Sequence, residues 1–478
     1  MKHTPIALLV AFTAMLIGAA CTKTEDRPNP RVAHAPTAHD NLPQHLASHF
    51  SAFEQRHQFT GYVLVATQGS VVFERGDGPV DLDSQEEPTA QTRFQIGSLT
   101  KQFVVAATLV LVDQGRLDLS AKIGSYMPDL PEPTRDLTIH QLLSNTSGIA
   151  PAPFAEGATQ QLLGPATRAE LLATFAGEPL RFESGSQFEY SNSGFLLLGV
   201  LVEQIAGMSA ASFFAEHLFQ EAEMTRSFLP EQGDFQQIRN EDTGSPIAVG
   251  YRRMPSGALE PHEEAFDMSV IFTAGAMVST AQDLYKWSQA LYSGELFSPH
   301  LVDRMTTANL DNYCFGLYQR ILGNGILAYS HTGGIYGFHS YLLVIPDSQT
   351  TVVILSNDEN QYIGRFGEEL ALIATGQTVP QPTAITPTPE ELAQVAGIYR
   401  GQYLGDSIEF ELKAENHQLQ LARPNGTKVP LFAEDKNQFY ARASRATYTF
   451  TRTDEDSITA LDIEVDGIPI MHLRQEAD

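Results

Sequence analysis

Residues 94–119 read FQIGSLTKQFVVAATLVLVDQGRLDL. From Leu99 onward apolar residues recur at helical spacing, and Gly115 stands where a C-cap would stop the last turn, so the stretch predicts a largely buried helix. Lys101 interrupts that apolar pattern three residues after Ser98. At this spacing a hydroxyl and an amine share one helical face, and the helix N-terminus favours negative charge developing on the serine oxygen. One reading is a nucleophilic serine whose proton the lysine accepts. The plainer one is Ser98 as a helix cap with Lys101 on a solvated face. The predicted burial speaks against the plainer one, because a lysine removed from water needs a partner.

Two further motifs lie downstream. Residues 188–207, FEYSNSGFLLLGVLVEQIAG, set Tyr190-Ser191-Asn192 before another apolar helix ending at Gly207. A tyrosine near a lysine can have its pKa lowered and move protons, and an asparagine amide can hold a substrate carbonyl. The alternative is an N-cap with Tyr190 as packing. His331-Thr332-Gly333-Gly334 ends a β-rich run. Glycines on a strand let a ligand approach the backbone and leave an N–H free for an oxyanion; the alternative is a turn.

Around these motifs the body begins near Leu42. Two β-rich runs flank Thr67-Gln68-Gly69-Ser70, a hairpin signal. Three more, ILAYSHTGG, HSYLLVIPD and TTVVILSND, precede a helical stretch from Arg365 to Thr375. The two ends of this region are expected to share one antiparallel sheet, with helices packed on it and a largely helical insertion between. Thr280-Ala-Gln-Asp283 resembles a capping box with Asp in place of Glu. Residues 376–391 are a Thr/Pro-rich linker. Beyond it, six short strand candidates between residues 407 and 467 predict a small antiparallel barrel or sandwich.

The chain has 478 residues, with 30 Lys plus Arg against 57 Asp plus Glu, a formal charge of −27. Nucleic-acid binding rests on cationic side chains, so that class is excluded. Cys21 and Cys314 are the two cysteines, too few for a disulfide framework and without metal-site spacing. Residues 1–21, MKHTPIALLVAFTAMLIGAAC, have the basic start, short apolar run and small residues of an export signal. This segment resembles a bacterial lipoprotein signal with Cys21 as the lipidated residue. Gly18, where such signals carry an aliphatic residue, leaves ordinary cleavage as the alternative. Residues 22–41 read as a flexible tether.

Taken in order, Ser98-x-x-Lys101, Tyr190-x-Asn192 and His331-Thr332-Gly333 resemble the penicillin-recognising serine hydrolases, specifically the class C β-lactamase and DD-peptidase branch. DQGRLDL, LTIHQLLSNTSGI, AGAMVSTAQDLYKWSQAL and SHTGGIYGFHSYLLVIPD extend the likeness. It implies an α+β fold over residues 42–375, with an antiparallel sheet flanked by helices and a helical subdomain, and a lipocalin-like barrel over residues 392–478. It also implies Ser98 as the acylated nucleophile, with Lys101 and Tyr190 sharing its proton and Tyr190 activating the deacylating water. Asn192, His331, Thr332 and Gly333 would contact substrate, and backbone N–H groups of Ser98 and Gly334 would form an oxyanion hole. No metal or cofactor is implied.

β-Lactamases proper carry lysine at the His331 position. Histidine there predicts carboxylate recognition that is weaker or more pH-dependent, and ranks peptide or ester hydrolysis above antibiotic hydrolysis. The alternatives are a true class C-like β-lactamase and a non-catalytic envelope binding module or β-lactam sensor. The expected partner is a small-molecule or peptide acyl donor, with membrane contact only through the N-terminal lipid. The charge of −27 would repel anionic donors, tilting the expectation toward esters or less anionic peptides. Oligomeric state is left open.

Overall fold

Gln68 and Gly69 take left-handed φ angles of 51° and 71°, the geometry of a two-residue hairpin turn. They join strand β1 (Gly61–Thr67) to β2 (Ser70–Asp77). The computed structural model describes residues 41–152, 164–241, 244–262, 267–361, 363–380, 385–403, 406–422, 428–442, 446–453, 457–465 and 468–475. Residues 1–40, which hold the expected signal, Cys21 and nearly all of the tether, lie outside the described residues.

Four later strands complete the sheet: β3 (Tyr318–Leu322), β4 (Ile326–Ile335), β5 (Phe338–Ile345) and β6 (Thr350–Ser356). Its order is β2-β1-β6-β5-β4-β3. β1 pairs antiparallel with β6, Gly61 opposite Ser356, so the two ends of the region share one sheet as expected. The edge strand β3 went unanticipated. Its sequence YQRIL lacks a clean alternation, and Ile321 is 69% exposed there.

The principal helices are α1 (Leu42–His57), α2 (Thr100–Asp113), α3 (Asn192–Ala206), α4 (Met268–Gly275), α5 (Ala281–Ser293) and α6 (Gly364–Ala374). Alternation along the strands divides them between two cores. Val63, Val65, Leu343 and Ile354 pack on α1 and α6, where Phe53 stacks on Phe366 at 3.9 Å. Leu64, Leu342, Val353 and Leu355 face the larger core with α2, α3 and α5, where Phe103 stacks on Trp287 at 4.1 Å. Helix α2 is buried from Thr100 to Leu111, which explains its apolar residues on all sides.

Caps follow the sequence with two adjustments. Gly207 is the left-handed C-cap of α3, whereas α2 ends on Gln114 with Gly115 one position beyond. Thr280 caps α5 by accepting from Asp283 N, but the Asp283 carboxylate does not reach back. It accepts instead from Arg226 N and Ser227 Oγ, each at 2.8 Å.

The C-terminal strands form a closed antiparallel barrel of eight, from Gly397–Tyr403 to Ile468–Gln475. The first and last pair, Tyr399 opposite Gln475, and this pairing makes a barrel of what could have been a sandwich. Tyr399, Leu419, Phe439, Phe450 and Leu461 fill its interior. The barrel meets the end of α1: Arg56 Nη2 donates to Glu434 Oε1 at 2.7 Å, and Tyr440 Oη donates to Arg56 O at 2.9 Å.

Candidate active site

A single tight turn, Gly97–Leu99, leads into α2. Ile96 N donates to Met277 O at 3.0 Å, and Thr100 Oγ1 donates to Gly97 O at 2.7 Å while accepting from Met277 N at 3.2 Å. The turn is therefore pinned from both sides. Between Thr92 and Leu111 every residue is buried except Ser98, which is half-buried. Ser98 is not the helix cap: that position belongs to Leu99, and no side chain caps α2.

Lys101 is fully buried. Its Nζ lies 3.0 Å from Ser98 Oγ, 2.8 Å from Asn192 Oδ1 and 2.6 Å from the Ala274 carbonyl. As an ammonium it donates to all three. Burial pushes its pKa well below the ordinary lysine value, favouring the neutral amine. A neutral amine has two N–H donors for Asn192 and Ala274, leaving its lone pair to accept the Ser98 proton. The Ala274 carbonyl is available because it lies in the last turn of α4, whose final carbonyls have no partner inside the helix. That helix is kinked at Phe272 (φ 34°, ψ −126°).

The Lys101 nitrogen also sits 4.9 Å from the Tyr190 ring centroid and 5.5 Å from that of Phe195. Tyr190 Oη is buried. Burial drives its pKa upward, and Ser98, the polar side chain acting on it, offsets this only in part. The expected lowering by the neighbouring lysine is thus corrected: the resting group is a neutral phenol, because removal from water outweighs the nearby amine. Ser191, not Asn192, caps α3, accepting from Gly194 N at 3.2 Å. Capping and site-building are divided between adjacent residues, and Asn192 is spent on Lys101.

His331, Thr332, Gly333 and Gly334 lie on β4, with Thr332 half-buried and Gly334 exposed. A Cβ on Gly333 would stand 2.0 Å from the Ile96 carbonyl, and one on Gly97 2.9 Å from Gly334 N. Only glycines permit strand and turn to approach so closely, and the approach brings the Gly97 and Gly334 backbones together. Ser340 Oγ holds them there by donating to Ile96 O at 2.8 Å.

His331 is 3% exposed and packs among Tyr190, Tyr313 and Tyr318, with ring centroids 5.9, 6.1 and 5.6 Å away. Its Nδ1 is 2.5 Å from Thr332 O, which makes Nδ1 the protonated nitrogen and leaves Nε2 an acceptor. Burial, reinforced by Lys101, pushes its pKa down to about 3. At that value the imidazole is neutral at ordinary pH.

Ser98, Lys101, Tyr190, Asn192 and His331, far apart in the chain, thus converge with the Thr332–Gly334 strand. The Ala274 carbonyl and the Tyr313 and Tyr318 rings were missed. A carbonyl leaves no trace in a sequence, and the two tyrosines lie in or beside the unanticipated edge strand. Among the described residues no group of three or more His, Cys, Asp or Glu is arranged to hold a metal ion. Cys314 is buried, and burial pushes its thiol up to about 12, far from reactive.

With this fold and site, the chain belongs to the Beta-lactamase family, whose sequence model matches residues 46–372. It is a family of serine hydrolases of the β-lactamase and penicillin-binding type. Penicillin-binding protein 4* of Bacillus subtilis (strain 168) is 26% identical over 452 residues, covering 89% of this chain and 97% of its own length. The octameric penicillin-binding protein homologue from Pyrococcus abyssi superposes with a TM-score of 0.65 at 21% identity, covering 90% of this chain and 99% of that one. The D-amino acid amidase from Ochrobactrum anthropi SV3 superposes with a TM-score of 0.56 at 20% identity, covering 70% and 96%.

Proposed function

We propose that this chain is an exported hydrolase that acts through an acyl-enzyme on Ser98, cleaving peptide bonds of the D-amino-acid or DD-peptide kind, or esters. Slow β-lactam turnover is a side activity. The observation that carries this reading is Lys101 Nζ at 3.0 Å from Ser98 Oγ, with its other two contacts already made. Lys101 takes the Ser98 proton as the oxygen attacks the carbonyl carbon, and the Ser98 and Gly334 N–H groups receive the developing oxyanion. Tyr190, a phenol at rest, donates its proton to the leaving amine or alcohol. The resulting phenolate, beside the Lys101 ammonium, then takes a proton from the attacking water, and collapse releases the acid as Lys101 returns its proton to the departing Ser98 oxygen. Lysine and tyrosine act as a coupled pair, so the base is shared. Asn192 and the Thr332–Gly333 strand hold the substrate.

His331 ranks the donors. A buried neutral imidazole supplies no cation for a substrate carboxylate, which favours esters and less anionic peptides over antibiotics. The D-amino acid amidase likeness is in keeping with amide bonds of D-amino acids among the donors, and the penicillin-binding relative with slow β-lactam turnover. Residues 1–21 are proposed to export the chain, with Cys21 as the lipid anchor.

The test is to expose the protein without residues 1–21 to a chromogenic short-chain ester, a D-Ala-D-Ala peptide and a fluorescent penicillin. Ser98 is expected to be acylated by at least one of them. Ser98→Ala should abolish labelling, and Lys101→Ala should slow acylation by about 10²–10⁴-fold, the range for a positioned acid–base group. Labelling that survives Ser98→Ala would overturn the assignment. No labelling and no turnover with any donor would favour a binding module.

A further inference from the structure

We infer that Asn145 is a positioning residue for Tyr190, an inference that rests on the acyl-enzyme reading above. Asn145 grips the chain on both sides of the tyrosine: its carbonyl accepts from Glu189 N at 2.9 Å, and its Oδ1 accepts from Ser191 N at 3.0 Å. Tyr190 is therefore suspended between two amides held by one residue. Ser191 is in turn the cap of α3, so the same grip sets where that helix begins and where Asn192 meets Lys101.

The residue type follows from the geometry. Asn145 has φ 56° and is 1% exposed. A left-handed backbone is tolerated by Gly, Asn and Asp, and of these only Asn and Asp add a side-chain acceptor. The residues after Asn145 continue the pattern: Gly185 N donates to Thr146 O at 2.7 Å, Ser184 Oγ to Ser147 O at 2.7 Å and Arg181 N to Gly148 O at 2.8 Å. The segment 145–148 is thus a template along which residues 181–191 are laid.

The template matters because it fixes the backbone from which the phenol reaches Ser98. The Ser98 side chain acts on the Tyr190 phenol, and Tyr313, packed edge-on against its ring at 6.2 Å, interacts with the Asn145 side chain. The phenol's reach toward Ser98 therefore depends on where its backbone is held. A proton-transfer group loses rate steeply when displaced.

The test compares Asn145→Gly, Asn145→Asp and Tyr190→Phe in the full chain, with p-nitrophenyl butyrate as the probe. Glycine keeps the left-handed backbone and the main-chain acceptor but removes Oδ1; aspartate keeps an acceptor oxygen there. Acylation and deacylation rates come from burst kinetics, and hydrogen exchange over Phe188–Ser191 reports the grip without reference to activity. Asn145→Gly is expected to speed exchange in that segment and to slow deacylation on the order of tenfold, a fraction of what an acid–base group contributes. Acylation, which Lys101 can carry, should change less. Asn145→Asp should restore the slow exchange; behaviour like that of glycine would overturn the inference. Slow deacylation in Tyr190→Phe, with wild-type deacylation and exchange in Asn145→Gly, would overturn the inference alone. Wild-type deacylation in Tyr190→Phe would overturn the role given to Tyr190, and the exchange measurement would still decide whether Asn145 holds the segment.

Discussion

His331 shows how far one residue's chemistry depends on its surroundings. In solution histidine titrates near neutrality, yet here burial holds it neutral down to about pH 3. The ester pH profile between about pH 5 and 8 should therefore owe nothing to this residue. His331→Gln should overlay the wild-type profile in shape, and loss of a limb in that range would contradict the assignment. The stability consequence has a definite sign. The folded pKa lies below the ordinary 6.5, so the unfolded chain binds the proton first as pH falls. His331 thus contributes a loss of stability on acidification from about 6.5 toward 3. Thermal melts across that range should show a shallower decline in His331→Gln. Lys101 obeys the same physics with a different result, since burial converts it into an amine able to accept the Ser98 proton.

At the scale of elements, the site depends on the closeness of one strand to one turn. Gly333→Ala would place a methyl group 2.0 Å from the Ile96 carbonyl, so β4 must retreat from Ser98. The expected outcome is a folded protein with a lower Tm, destabilised by about 1–3 kcal/mol as for other overpacked sites, and with Ser98 labelling strongly slowed. Thermal melts and fluorescent penicillin labelling measure the two effects. The Asp283 carboxylate is a second element-level feature. Though it sits where a capping box would place an acid, it ties the Arg226–Ser227 segment to α5. Asp283→Ala removes the carboxylate that Arg226 N and Ser227 Oγ share, while Ser227 Oγ keeps Ser279 Oγ at 2.8 Å; the expected cost is about 1–3 kcal/mol in total, measurable by denaturant unfolding.

At the scale of the whole molecule, one buried ion pair joins distant parts of the chain. Arg253 Nε donates to Asp358 Oδ2 at 2.7 Å, with both side chains almost wholly buried. The same guanidinium donates to Gln58 O at 2.8 Å, tying this pair to the end of α1, where the barrel docks through Arg56 and Tyr440. Asp358→Ala leaves the guanidinium buried without its counter-charge, which typically costs about 3–5 kcal/mol. The expected result is a large fall in Tm measured by calorimetry. A change within error would mean that water compensates the charge.

The reach of the sequence differs by kind of feature. Local patterns were legible because their physics is local: the Gln68-Gly69 hairpin, the buried helix after Ser98, the Gly207 stop and the strands from Ile326 to Ser356 all follow from spacing and turn chemistry. The five converging side chains were legible because their motifs lie on such elements and their order resembles a known family. What only the tertiary structure decided is everything set by desolvation or by long-range pairing. Closure of the barrel required Gly397–Tyr403 to find Ile468–Gln475, two strands absent from the sequence-based candidates. The Ala274 carbonyl, the Asn145 grip, the upward shift of Tyr190 and the neutral His331 arise from groups brought together and removed from water, and no window of neighbouring residues contains that environment.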